Sequence, residues 1–227
     1  AHPDDETFGM GGTLAKYAAE GVKVYLICAT RGEVGEMDAK YMKGFHDPAE
    51  RREAELRCAA EKLGITDVFF LDYRDSGMPG SEHNSHPNSL YSAPVEEVAI
   101  KVAKYIRELQ PEVLITFDPI GGYRHPDHIA IHNATVLAYK ISGSSEVYPD
   151  LAGLEVFLPK KFYYHTIPRG FLRLAVFFIR LIGKNPRKFG QNQDIDLQSL
   201  AEVEFPVHAE INYLSVAGLR DEASACH

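Results

Sequence analysis

Apolar and polar positions along this chain change period several times. Residues 13–20 place Leu14, Tyr17 and Ala18 at helical spacing, and Gly21 then ends the pattern as a C-terminal glycine does. Residues 22–29 (VKVYLICA) are β-branched, aromatic and nearly unbroken in apolar character, which predicts a buried strand of a parallel sheet. A polar, Gly-bearing loop follows at 30–36. Asp47-Pro48-Ala49-Glu50 then opens a long helix whose Ala54, Leu56, Ala59, Ala60 and Leu63 form an apolar stripe, closed by Gly64. Strand signals return at 68–71 (VFFL), before a loop rich in Ser, Gly, Pro and His over about 75–89. The theme repeats with a helix at 95–109, a break at Pro111, a strand at 113–117 (VLITF) and a helix from about 128 to 140.

Strands alternating with helices imply βαβ crossovers. The predicted fold is therefore α/β, a Rossmann-like, mostly parallel sheet flanked by helices. In such sheets ligands sit beyond the carboxyl ends of the strands. The loops after Ala29, Leu71 and Phe117 all lie at that edge. Ala1-His2-Pro3-Asp4-Asp5 would join them if a strand precedes Ala1, and we expect one in the natural protein. Beyond about residue 140 the pattern loosens. Residues 162–165 and 204–207 read as short strands and 211–225 as a helix. Residues 171–182 (FLRLAVFFIRLI) read as a packed helix with snorkelling arginines; the alternative is an oligomer contact or a lid. With no repeat or low-complexity linker, we expect one domain over 1–227: a core at about 1–140 and a variable, substrate-shaping part at about 141–227.

Composition narrows the function classes. The 227 residues carry 24 Lys and Arg against 32 Asp and Glu, a net charge of −8. Without a Lys/Arg cluster, that balance disfavours nucleic acid and anionic membranes as partners. No stretch reaches the roughly 18 apolar residues of a membrane span. Cys28, Cys58 and Cys226 are odd in number and lack C-x-x-C spacing, which disfavours both disulfides and a thiolate zinc site and makes the cytoplasm the expected compartment.

Two motifs pack His and Asp around a proline: His2-Pro3-Asp4-Asp5-Glu6 and Tyr123-Arg124-His125-Pro126-Asp127-His128. An Asp at a helix start is ordinarily an N-cap, and a lone loop His is ordinarily solvated. Both motifs at one predicted sheet edge point instead to chemistry, because zinc accepts two imidazoles and a carboxylate and keeps a fourth position open. His46, His83, His86, His165 and His208 have no such company. Glu36 and Asp38 imitate a cation site, but no His accompanies them.

These motifs, with Gly9-Met10-Gly11-Gly12-Thr13, Thr30-Arg31-Gly32-Glu33-Val34-Gly35, Arg52-Glu53-Ala54-Glu55-Leu56 leading to Leu63-Gly64, and Arg74-Asp75-Ser76-Gly77-Met78, follow one another in order over about residues 1–135. In this the chain resembles the LmbE/PIG-L-like zinc-dependent deacetylases, which hydrolyse N-acetyl groups from glucosamine-containing substrates. The resemblance implies that His2, Asp5 and His128 bind Zn2+, though Fe2+ shares such ligands. It implies Asp4 as general base, His125 as the group that stabilises or protonates the tetrahedral intermediate, Asp127 as its tuner and Tyr123 as a donor to the oxyanion. Arg52, Asp75 and Glu33 resemble substrate-contacting residues. Past residue 142 the likeness thins to residues 209–227, where family members often place a helix followed by His, here His227. The expected function is metal-dependent removal of acetyl from a small N-acetylated amino-sugar conjugate. The alternatives are cleavage of another amide of a sugar-thiol conjugate, or a non-catalytic sugar-binding module, which would be expected to have lost one of His2, Asp4, Asp5 and His128.

Overall fold

The structure, a computed structural model, describes residues 1–35, 37–167, 169–189 and 195–227, with only the backbone described for Ala39 and Arg169. Helix α1 (Asp5–Ala19) starts eight residues earlier than the apolar spacing predicts. Its buried face is made of Glu6, Thr7, Gly11, Gly12 and Ala15, so the first turns carry no hydrophobic period to read. Strand β1 (Tyr25–Cys28) follows, then α2 (Pro48–Leu63), which Asp47 caps by accepting from Glu50 N at 2.8 Å and Gly64 ends at φ 72°. Strand β2 (Asp67–Phe70) lies parallel to β1, with Tyr25 opposite Asp67 and Cys28 opposite Phe70.

The second half repeats the unit. Helix α3 (Val95–Leu109) leads into β3 (Val113–Phe117), and the short turn α4 (Gly121–Arg124) with α5 (Pro126–Ser142) carries the chain to β4 (Lys161–His165), again parallel to its partner. The main core joins Val98, Val102 and Ile106 of α3 to Ile131, Ala134 and Ala138 of α5, with Ala29, Leu71 and Leu90 beneath. Buried Arg107 crosses from α3 and donates to the Ile141, Ser142 and Ser144 carbonyls, where a cation suits the end of a helix. The α/β architecture with parallel strands is as expected, but the strands are less buried than the sequence suggests. Leu114 packs into the core, whereas Val113 and Ile115, on the alternate face of β3, remain exposed.

Three expectations are corrected. Residues 204–207 form no strand: Pro206 removes a ladder donor. The last helix is shorter than 211–225, with one 3₁₀ turn at Leu214–Val216 ahead of α8 (Ala217–Ser224). Cys58 and Cys226 form a disulfide, leaving Cys28 as the free, buried thiol. An odd count leaves one cysteine over but does not stop two from meeting. They meet because α8 packs on α1 and α2 through Ala15, Ala59, Leu63 and Ala223. Residues 171–182 do form a helix, α6 (Arg169–Leu181), packed on the unforeseen α7 (Leu197–Glu202), which Asp196 caps. Among the described residues no helix is long and apolar enough to cross a membrane.

Candidate metal centre

The first motif is a strained turn pinned from three sides. Asp4 adopts φ 118°, a positive value uncommon for any residue but glycine. Its backbone N donates to Glu6 Oε2 at 3.0 Å. Arg52, reaching over from α2, donates to the Pro3 carbonyl at 2.6 Å, to Asp4 Oδ2 at 2.8 Å and to the Gly32 carbonyl at 2.9 Å. Gly32 is required there: at φ 65° a Cβ would strike the Arg52 guanidinium. The second motif enters α5 with Pro126 at its first position, and His125 is extended as the residue before a proline must be. His125 Nδ1 accepts from Asp127 N at 3.2 Å, capping the helix.

The two turns meet at His2 and His128. Asp127, fully buried, accepts from Ser76 N at 2.9 Å and from the Ser76 hydroxyl, and its Oδ2 lies 3.0 Å from His2 Nε2. So tied, Asp127 assigns the proton to Nε2 and turns the Nδ1 lone pair towards Asp5 Oδ2, 3.5 Å away. His128 is held the opposite way round. Its Nδ1 donates to the Gly121 carbonyl at 3.2 Å, Phe117 stacks on the ring at 4.0 Å, and Nε2 stands 3.3 Å from Asp5 Oδ1. That Nε2 is buried without a hydrogen-bond partner. Tetrahedral ligands at about 2.0–2.1 Å from a metal lie about 3.3 Å apart, so the separations and the orphaned nitrogen fit a divalent cation held by His2, Asp5 and His128. Asp5 meets the two imidazoles with different oxygens; the sets whose single donor atoms all lie within 4.8 Å of one another are His2, His125 and His128, and His2, Asp75 and Asp127.

Electrostatics divide these groups. Burial lowers the His2 pKa, but hydrogen bonds to Asp127, Asp5 and Asp75 outweigh it and hold the imidazole well above its usual range. Burial, helped by His2 and His128, lowers His125 to about 3, so its ring is neutral. Burial and the neighbouring Asp5 push Asp4 up to about 6 against the pull of Arg52. Burial, with Asp5 and Asp4, raises the Tyr123 phenol, which stays protonated as a donor; its ring stands edge-on to His128 at 4.9 Å.

The residues expected at the substrate are engaged within the protein. Arg52 braces Asp4, and Asp75 accepts from Gly77 N at 2.8 Å and Val34 N at 3.3 Å. Glu33 accepts from Asp75 N at 3.2 Å, leaving its Oε2 buried and without a partner. The Asp127 carboxylate faces His2 and meets His125 through its backbone N–H. Glu36 lies outside the described residues. Sequence reading missed the orienting shell: Ser76, Gly121 and Glu6. The Gly121-Gly122 doublet just before the second motif was the available signal. His227 also reaches the centre's edge, with Nε2 2.9 Å from Glu6 Oε1.

The sequence pattern of the PIG-L family, described as GlcNAc-PI de-N-acetylase, matches residues 1–139. The chain belongs to the PIG-L family. Both His/Asp motifs fall within the PIG-L match. Among its relatives, the 1D-myo-inositol 2-acetamido-2-deoxy-alpha-D-glucopyranoside deacetylase of Geodermatophilus obscurus is 35% identical over 100% of this chain and 79% of that protein. Its counterpart in Streptomyces scabiei is 42% identical over 75% of this chain, which spans 55% of the length of that protein. The N,N'-diacetylchitobiose deacetylase of Pyrococcus horikoshii superposes with a TM-score of 0.59 at 27% identity, over 79% of this chain and 66% of that one.

Proposed function

We propose that this PIG-L family chain is a zinc-dependent hydrolase that removes the acetyl group from an N-acetylglucosamine-type amide. The observation that carries the reading is the pair of oppositely tethered imidazoles, His2 Nδ1 and His128 Nε2, facing the two oxygens of Asp5. A divalent ion held by these three side chains supplies Lewis acidity and lowers the pKa of water. Asp4, adjacent in the turn, takes the proton from the attacking water. Tyr123 donates to the oxygen that gains charge as the carbonyl is attacked, the neutral His125 ring donates a hydrogen bond to the tetrahedral intermediate, and Asp4 returns its proton to the departing amine. Asp127 and Ser76 keep His2 in one tautomer, while Arg52 fixes Asp4. The C–N bond breaks, giving acetate and a free amino sugar.

The sugar–inositol conjugate named for the two relatives is the first substrate to try. Acetate release should be followed by proton NMR with that conjugate and with N-acetylglucosamine, with zinc added and after chelation. Release that needs metal supports the proposal. No metal-dependent release from any acetylated amino sugar sinks the substrate class, and release of a larger acyl group instead points to the other amidase.

A further inference from the structure

Helix α6 has two apolar faces. Leu172, Val176 and Ile179 turn inward to α7, forming a cluster against which Tyr123, beside the metal centre, also packs. On the other side Phe171, Leu174, Phe177, Phe178, Leu181 and Ile182 are 52% to 71% exposed. At about 100° per residue these six share one arc of about 140°, with Arg173 and Arg180 together between it and the buried face. Taking about 200 Å² for a large side chain, the arc leaves roughly 700 Å² of apolar surface in solvent. That exceeds the largest patch of a typical monomer, about 300–600 Å².

Charge is segregated to the same segment. Residues 156–193 hold eight Lys and Arg and no Asp or Glu, so they carry +8 while the rest of the chain carries −16. The whole-chain value of −8, on which the expectation against anionic surfaces rests, averages over that division. Arg180, Lys184, Arg187 and Lys188 are exposed and pair with no carboxylate among the described residues. Arg173 reaches Glu204 at 3.2 Å. The 13 residues of α6 extend about 20 Å, short of a hydrocarbon core of roughly 30 Å, so the helix can lie along a bilayer but not cross it.

We propose that the exposed face of α6 docks on an anionic lipid surface, its phenylalanines entering the headgroup region and the flanking Arg and Lys side chains meeting lipid phosphates. A second copy of the chain is the weaker occupant: a twofold contact through this face would set Arg173 and Arg180 against their own images. Because Tyr123 packs against the cluster that α6 and α7 share, docking holds the metal centre beside the lipid. Docking through α6 is independent of the reaction proposed above.

The chain has no Trp, so Phe177→Trp supplies a single fluorescent reporter. At about 0.1 M salt, where the Debye length is about 10 Å, its emission should shift to the blue with vesicles of phosphatidylcholine and phosphatidylserine, but not with phosphatidylcholine alone. The parent chain should sediment with the mixed vesicles only, and 1 M salt should release it. Each cation near an anionic surface contributes about fivefold in affinity, so Arg180→Gln with Lys184→Gln should weaken binding about 25-fold. Phe171→Ser with Phe178→Ser should abolish sedimentation while leaving the thermal midpoint unchanged, since both rings are exposed. Equal binding to neutral vesicles overturns the proposal, as does failure to bind either kind, including the case where crosslinking instead joins two α6 helices.

Discussion

Replacing Gly121 by Ala tests whether the backbone around the second motif is built to hold one imidazole. Gly121 sits at φ 62°, and its carbonyl accepts from His128 Nδ1. A Cβ there would lie 2.7 Å from His128 Cβ and 3.0 Å from Ile129 N. Two effects follow. A left-handed Ala costs about 1–2 kcal/mol, and the clash displaces the ring whose Nε2 faces Asp5. Loss of an outer-shell partner of this kind typically lowers metal affinity about 10–100-fold. Gly21→Ala is the matched control, because Gly21 has φ 86° and nothing within 4 Å of its Cβ position. Both variants should melt about 2–8 °C below the parent, given about 2–4 °C per kcal/mol for a domain of this size. Only Gly121→Ala should lose zinc affinity in competition with a chromogenic chelator. Parent-like zinc binding by Gly121→Ala, or equal losses in both variants, would refute the reasoning.

Asp4→Asn preserves a side chain tolerant of positive φ, so it should bind zinc as the parent does and lose about 10²–10⁴-fold in turnover; undiminished turnover removes Asp4 as the base. Zinc affinity should rise with pH and level off once His2 is neutral. Its pKa is raised, so below that value a proton occupies the site, and each pH unit lower should cost about tenfold; a flat titration would contradict this. Burial pushes the Cys28 thiol up to about 11, so at pH 8 the native chain should show no thiol reactive to a disulfide reagent. One thiol should appear after unfolding, whereas three would mean that Cys58 and Cys226 are unpaired. Cys58→Ser with Cys226→Ser should destabilise the fold by about 2–5 kcal/mol in a denaturant titration; no loss would make the crosslink inert.

What was legible in the sequence follows from which physics writes a period into it. Helices α2 and α3 have apolar stripes and clear stops, and their ends are found within a residue or two. The parallel strands were readable from β-branched runs, though not how far helices cover them. Helix α1 hides its first turns because they bury glycines and a glutamate rather than leucines. The disulfide was unreadable because it joins positions 168 residues apart, and only the packing of α8 brings them together. At the site, His2, Asp5 and His128 announce themselves by type. Ser76 and Gly121 do their orienting through one hydroxyl and two backbone atoms, and only the Gly121-Gly122 doublet hints at them. The charge segregation around α6 was countable from the start, but a single net value conceals it.

The bond from His227 to Glu6 joins positions 221 residues apart, and it sets a clock on biogenesis. At about 5–20 residues per second, residue 227 is made roughly 10–45 s after residue 2. Through that interval Glu6, whose other oxygen secures the Asp4 amide, waits for its last partner. A nascent chain therefore carries His2, Asp4 and Asp5 long before Glu6 gains this partner, and a ribosome that stalls inside α8 leaves a chain in which that bond is never made.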